Sequence, residues 1–218
     1  LDVPAWAWIA AILAGAALAL VAIPVWVPTL GASLVGTEPR VSWYLSRATG
    51  LVSFVLLWVS MASGLVISNK MARVWPGAFT AFDLHQYTSL LGLGFALFHG
   101  LILMANSYIN YNLVQVLVPF ANPSYRPLWV GIGQVALYLS VLVTVTFYLR
   151  KQIGKAWRVI HYLSYGAFVM ALFHGLFSGT DSGNVWIARM YWSALVILGA
   201  LTYYRVRERR QSLAKSRP

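Results

Sequence analysis

Apolar residues in this chain fall into six long runs separated by short polar breaks: Ala5–Val27, Trp43–Ser68, Leu84–Tyr108, Leu128–Leu149, Ala156–Phe177 and Val185–Tyr204. A hydrocarbon core about 30 Å thick takes about 20 apolar residues to cross as a helix. Lipid gives the backbone no hydrogen-bond partners, and the two-residue alternation of a barrel strand is missing, so each run is predicted to be a helix. The pattern therefore predicts an all-α, six-helix membrane bundle forming a single domain over residues 1–218. The first run is too long for a signal peptide and shows no small-residue cleavage site before the next segment. The chain starts at Leu1 rather than Met, which fits a short missing leader. The longest connection, around Asn110–Arg126, holds Pro119 and Pro123 and leads into Pro127. It is expected to pack across one membrane face.

Composition strengthens this reading. Of 218 residues, 60% are hydrophobic and 10% charged, with a mean hydropathy of +0.70. Soluble chains carry roughly 25% charge, so this one is read as an integral membrane protein. There is no cysteine, which removes disulfides, thiolate zinc sites, iron–sulfur clusters and cysteine nucleophiles together. No Gly-rich phosphate-binding motif appears. The net charge of +11 is assigned to membrane orientation rather than to nucleic acid. With six helices, one side holds Lys70, Arg73, Arg150, Lys151, Lys155, Arg158 and the basic tail 205–218, leaving Arg40, Arg47, Arg126 and Arg189 for the other. This bias predicts a multi-pass protein of the plasma (bacterial inner) membrane with both termini in the cytoplasm.

Four histidines supply the candidate chemistry. His85 and His99 lie 14 residues apart on the third run, and His161 and His174 lie 13 apart on the fifth. Ionisable side chains inside a membrane are costly and invite a functional reading. Both helices run outward from the cytoplasm, so His85 pairs in depth with His161, and His99 with His174. At 1.5 Å per residue the two levels are roughly 20 Å apart. Two facing imidazoles at each level suit haem b, because a bis-histidine site leaves no open axial position and favours electron transfer over oxygen binding. A bare zinc or iron site wants three or four close ligands, and the nearest acid, Asp83, is two residues from His85 and off its face. The alternative is that the histidines are interhelical hydrogen-bond partners or proton relays.

Helical phase adds detail. Fourteen residues fall about 40° short of four turns, so His85 and His99 share a face; thirteen fall about 140° short. A local tightening of the fifth helix, with Gly166 as its expected place, would bring His161 and His174 together. The segment Ala96-Leu97-Phe98-His99-Gly100-Leu101 recurs as Ala171-Leu172-Phe173-His174-Gly175-Leu176. Gly100 and Gly175 either let a flat macrocycle approach the backbone or let helices pack closely. Midway between the histidines stand Gly92 on one helix and Phe168 on the other. Either the ring fills a gap opposite the glycine or both serve core packing.

The 14 and 13 spacings resemble those of the ferric-reductase-like transmembrane domain family, shared by ferric reductases, NADPH oxidases and the haem-binding membrane subunit of the bacterial methionine sulfoxide reductase system. Three stretches add to the likeness: Ser46-Arg47-Ala48-Thr49-Gly50, the region from Leu84-His85-Gln86 to Phe98-His99, and Gly154-Lys155-Ala156-Trp157-Arg158. The likeness covers the second to sixth runs. It implies a six-helix bundle that moves electrons between two haems b, held by His85 with His161 and His99 with His174, between helices three and five. Ferric reductases and NADPH oxidases add a cytoplasmic flavin and nicotinamide domain. Here a basic tail follows instead, so flavin is expected only through a partner.

Arg158 and Lys155 are placed to pair with inner propionates, and Arg47 and Arg126, with Tyr125, with outer ones; positive-inside charge and snorkelling are the plainer readings. The tail around Arg205–Arg210 suits anionic lipid or an acidic electron donor. The expected function is a transmembrane di-haem cytochrome b in the lipid bilayer, taking electrons from a cytoplasmic donor protein or quinol to an external acceptor protein or metal. Two rivals stay open: a haem-bearing subunit of a larger respiratory or photosynthetic complex, and a haem-free histidine-based metal or proton transporter.

Overall fold

The structure is a computed structural model that describes residues 40–71, 77–105, 109 and 111–215, with four isolated positions at 10, 14, 15 and 18. The first apolar run, 5–27, lies outside the described residues apart from those four. Among the described residues the regular elements are all helical: α1 (Arg40–Ser68), α2 (Ala78–Leu101, continued by a 3₁₀ turn at Ile102–Ala105), α3 (Leu113–Leu117), α4 (Pro127–Tyr148), α5 (Arg150–Ile153), α6 (Ala156–His161), α7 (Leu163–Ser178) and α8 (Val185–Lys215). Five segments are long and apolar enough to cross a membrane: Val41–Ser68, Phe79–Ala105, Pro127–Tyr148, Ala156–Ser178 and Val185–Ala214. The multi-pass reading thus holds at five described spans. Two boundaries move: α2 begins at Ala78 rather than Leu84, and α8 runs past Tyr204 into the basic tail.

The helices form two hairpins with the same direction of travel. α1 and α2 pack along their length, as do α4 and α7, while α2 and α7 hardly touch. In lipid the hydrophobic effect does not drive helices together, so close packing and interhelical hydrogen bonds must. Gly92 provides one such contact: a Cβ there would meet Leu56 Cβ at 3.2 Å, and Ser53 Oγ donates to the Gly92 carbonyl at 2.9 Å. The buried cluster joins Phe54, Met61 and Leu65 of α1, Phe168 and Leu172 of α7, and Tyr191, Ala194 and Leu198 of α8.

The two ends differ. At the basic end Arg205 donates to the Ser68 carbonyl, and Asn69 Nδ2 to Leu201 O at 3.3 Å. At the loop end Arg47 and Asp181 form a two-pronged ion pair, with Nε to Oδ2 at 2.7 Å. Residues 111–126 fold over this end. α3 is closed by a capping box between Asn112 and Gln115. Gln134 of α4 then donates to the carbonyls of Gln115 and Val116 at 2.8 and 2.7 Å.

Candidate functional site

A cavity of about 510 Å³ separates the hairpins and touches all four histidines. It reaches from Trp43, Arg47 and Tyr125 at the loop end to Ser68, Trp157 and Arg158 at the basic end. Across it the ring centres of His85 and His161 lie 6.1 Å apart, and those of His99 and His174 lie 6.0 Å apart. The two predicted pairs therefore come together as pairs.

The fifth run tightens at Tyr162 and not at Gly166. There the helix breaks between α6 and α7, with Tyr162 N bonding Val159 O and Tyr165 N bonding Tyr162 O, both at 3.1 Å and three residues apart. Such 3₁₀ bonds wind more angle per residue than α-helical ones, which recovers part of the missing rotation. Gly166 stays inside regular α7. Upstream, Gly154 takes φ +59° to end α5, a left-handed position that favours glycine.

Three of the four rings are held in one way. His99 Nδ1 lies 2.7 Å from Ser46 O, His85 Nδ1 2.8 Å from Ser60 O, and His174 Nδ1 2.9 Å from Trp129 O. A carbonyl only accepts, so each Nδ1 carries the proton and each Nε2 keeps a free lone pair. Four residues beyond each carbonyl stands a glycine: Gly50, Gly64 and Gly133. A Cβ at Gly50 would lie 2.9 Å from His99 Nδ1, and one at Gly64 3.2 Å from His85 Cε1. At Gly133 it would strike the His174 ring, with Cγ only 2.6 Å away. The bare glycine backbone is what admits each ring to its carbonyl. Serine hydroxyls complete two of the sites. Ser46 Oγ donates to His99 O at 3.2 Å, and Ser60 Oγ lies 2.6 Å from Ser89 Oγ, which itself donates to His85 O at 2.6 Å.

The geometry suits a metal shared by two imidazoles. A ligating nitrogen sits about 1.1 Å from its ring centre and about 2.0 Å from a first-row metal, so two rings on opposite sides have centres about 6 Å apart. Both pairs meet this distance. Among the described residues there is no group of three or more His, Cys, Asp or Glu side chains able to hold a metal. Haem asks the protein for two axial ligands only, because the macrocycle supplies the other four, so the donor set fits haem and falls short for a bare ion.

Compared with protein-family models, curated proteins and solved structures, the chain matches none. The site itself must carry the functional argument.

Other sequence-predicted residues fall into place around it. Arg158 borders the cavity at the basic end, exposed and beside the His161 level. Arg126 does not reach the cavity; its guanidinium donates to the Phe177 carbonyl, and its backbone is left-handed at φ +41° ahead of Pro127. Arg47 borders the cavity but is engaged by Asp181. Tyr125 donates to Ser178 O at 2.8 Å and packs edge-on against Trp43. Gly175 makes room for a neighbouring helix, since a Cβ there would collide with the Tyr191 ring, and Gly100 faces Val116 of α3 at 3.7 Å. Gly92 faces α1, and Phe168 stacks on Phe54 with ring centres 5.7 Å apart, so the two do not face each other. Sequence reasoning passed over Ser60, Gly64, Trp129 and Gly133. Gly50 and Gly64 are 14 residues apart, like His85 and His99 on the antiparallel neighbour, and that matched interval was the available signal.

Proposed function

We propose that this chain is a transmembrane di-haem cytochrome b of the ferric-reductase-like kind. It takes electrons from a cytoplasmic or quinol donor, passes them across a plasma-type membrane to an external acceptor, and depends on partner proteins at both ends. The observation that carries the reading is the pair of bis-histidine clefts, 6.1 and 6.0 Å between ring centres. Haem b, when bound, supplies a one-electron carrier at each level. The chain's own work is to present imidazole nitrogens from opposite sides of each cleft and, for His85, His99 and His174, to fix the ring planes through backbone carbonyls. Two histidines at each site would supply both protein ligands of a bound haem, a donor set that favours electron transfer over oxygen chemistry. Arg158, at the cytoplasmic end in this reading, is placed to bind an inner propionate. A bare-metal transporter is disfavoured, because among the described residues neither cleft has the third and fourth donors such an ion needs; the proton-transporter alternative stays open.

The test is transfer across a sealed membrane. Haem-loaded chain in liposomes with dithionite trapped inside should reduce external ferricyanide far faster than empty liposomes. His174→Ala should keep one haem and lose most of that rate. Haem-loaded vesicles no faster than empty ones would refute the function.

A further inference from the structure

The two hairpins repeat the same arrangement, and the repeat is broken once. On α1 the notches for His99 and His85 are Ser46 O with Gly50 and, 14 residues on, Ser60 O with Gly64. On α4 the notch for His174 is Trp129 O with Gly133. Fourteen residues on, the matching positions are Val143 and Phe147, and α4 has no glycine after Gly133. Phe147 is engaged elsewhere: its ring packs edge-on against Trp157 at 6.3 Å and under the Arg150 guanidinium at 4.1 Å. Trp157 in turn packs edge-on against His161 at 5.6 Å. His161 Nδ1 is buried and has no hydrogen-bond partner. Thr146, just before Phe147, donates to the carbonyls of Leu142 and Val143 at 2.8 and 3.1 Å. Three histidines are thus held by a carbonyl, and the fourth by an aromatic wedge.

We infer that Phe147, by closing the fourth notch, makes the His85–His161 site the higher-potential of the two. The inference rests on the haem reading above. A carbonyl accepting from Nδ1–H makes the imidazole a stronger electron donor through Nε2, which stabilises the oxidised iron and lowers its potential. The His99–His174 site has two such ligands and the His85–His161 site has one. Phe147 acts through His161 and is a positioning residue.

The experiment is a potentiometric titration of the full-length chain in detergent, followed by visible absorption, with haem quantified in every sample. Wild type should titrate in two unequal one-electron steps. His174→Ala, which deletes the outer site, should leave the higher midpoint. Phe147→Gly combined with Thr146→Val opens the notch and frees the Val143 carbonyl; it should lower the higher midpoint toward the other and leave the lower one in place. If that double variant fails to fold, wild type and His174→Ala still decide the order. The inference is overturned alone if two haems are bound but the midpoints coincide, if His174→Ala retains the lower one, or if the double variant holds two haems with both midpoints unmoved. A purified chain that takes up no haem overturns the functional reading and this inference with it.

Discussion

Replacing Gly133 by alanine should damage the His99–His174 site and spare the His85–His161 site. The new Cβ would lie 2.6 Å from His174 Cγ and 2.8 Å from Cε1, distances that real side chains essentially never adopt. The ring must retreat by roughly 1 Å to reach ordinary contact, and a retreat of that size breaks the 2.9 Å bond to Trp129 O. Stranding the Nδ1–H costs about 1–3 kcal/mol, which corresponds to a loss of haem affinity of roughly five- to 150-fold. The same substitution at Gly50 meets His99 at 2.9–3.0 Å, and at Gly64 it meets His85 at 3.2–3.3 Å, where a shift of a few tenths of an ångström suffices. The expected order of damage is Gly133→Ala, then Gly50→Ala, then Gly64→Ala. Haem titration of the apo-chain in detergent, read by difference absorption, measures it. Wild-type affinity at both sites in Gly133→Ala, or greater damage from Gly64→Ala, would refute the notch as the cause of ring placement.

Other outcomes follow from the same geometry. The imidazole planes cross at 68° and 77°; with haem bound as proposed, that orientation would leave the iron π-type orbitals nearly degenerate, so electron paramagnetic resonance should show strongly anisotropic low-spin signals, and ordinary rhombic signals from both sites would contradict it. Gly92→Leu should drive α1 and α2 apart at Leu56 and Leu57, costing about 1–3 kcal/mol of stability and loosening both sites; an unchanged melting temperature would count against the close contact. Asp181→Asn weakens a pair whose side chains are 29% and 27% exposed, so stability should fall by no more than about 1 kcal/mol and haem content should stay at the wild-type level. No Gly-rich phosphate-binding motif occurs in residues 1–218, so NADPH added to this polypeptide alone should leave the spectrum unchanged; reduction by NADPH would contradict that.

Much of the molecule is legible in the sequence, because lipid enforces a coarse grammar. Long apolar runs must be helices, and five of the six predicted runs are described and helical. The histidine pairs were also legible, since four histidines in two helices at nearly equal intervals leave few arrangements. What holds the rings was not. A backbone carbonyl has no residue-type signature, and a glycine in a membrane helix reads equally well as ordinary packing, which is what Gly175 turned out to serve against Tyr191. The tightening of the fifth run escaped for a similar reason. The turn at Tyr162 is made by backbone hydrogen bonds without glycine or proline, so no local composition marked it. The end of α8 was missed because hydropathy falls after Tyr204 although helix propensity does not; the Arg- and Glu-rich segment has no lipid constraint and still continues the helix.

Under the proposed function each chain carries two haems on four histidines. It is tested most directly by a reduced-minus-oxidised spectrum of the purified, haem-saturated chain, with haem counted per polypeptide. Two haems b per chain are expected, both low-spin, with one lost in His161→Ala and one in His174→Ala. A saturated chain holding a single haem, or a high-spin spectrum revealing an open axial position, would contradict it.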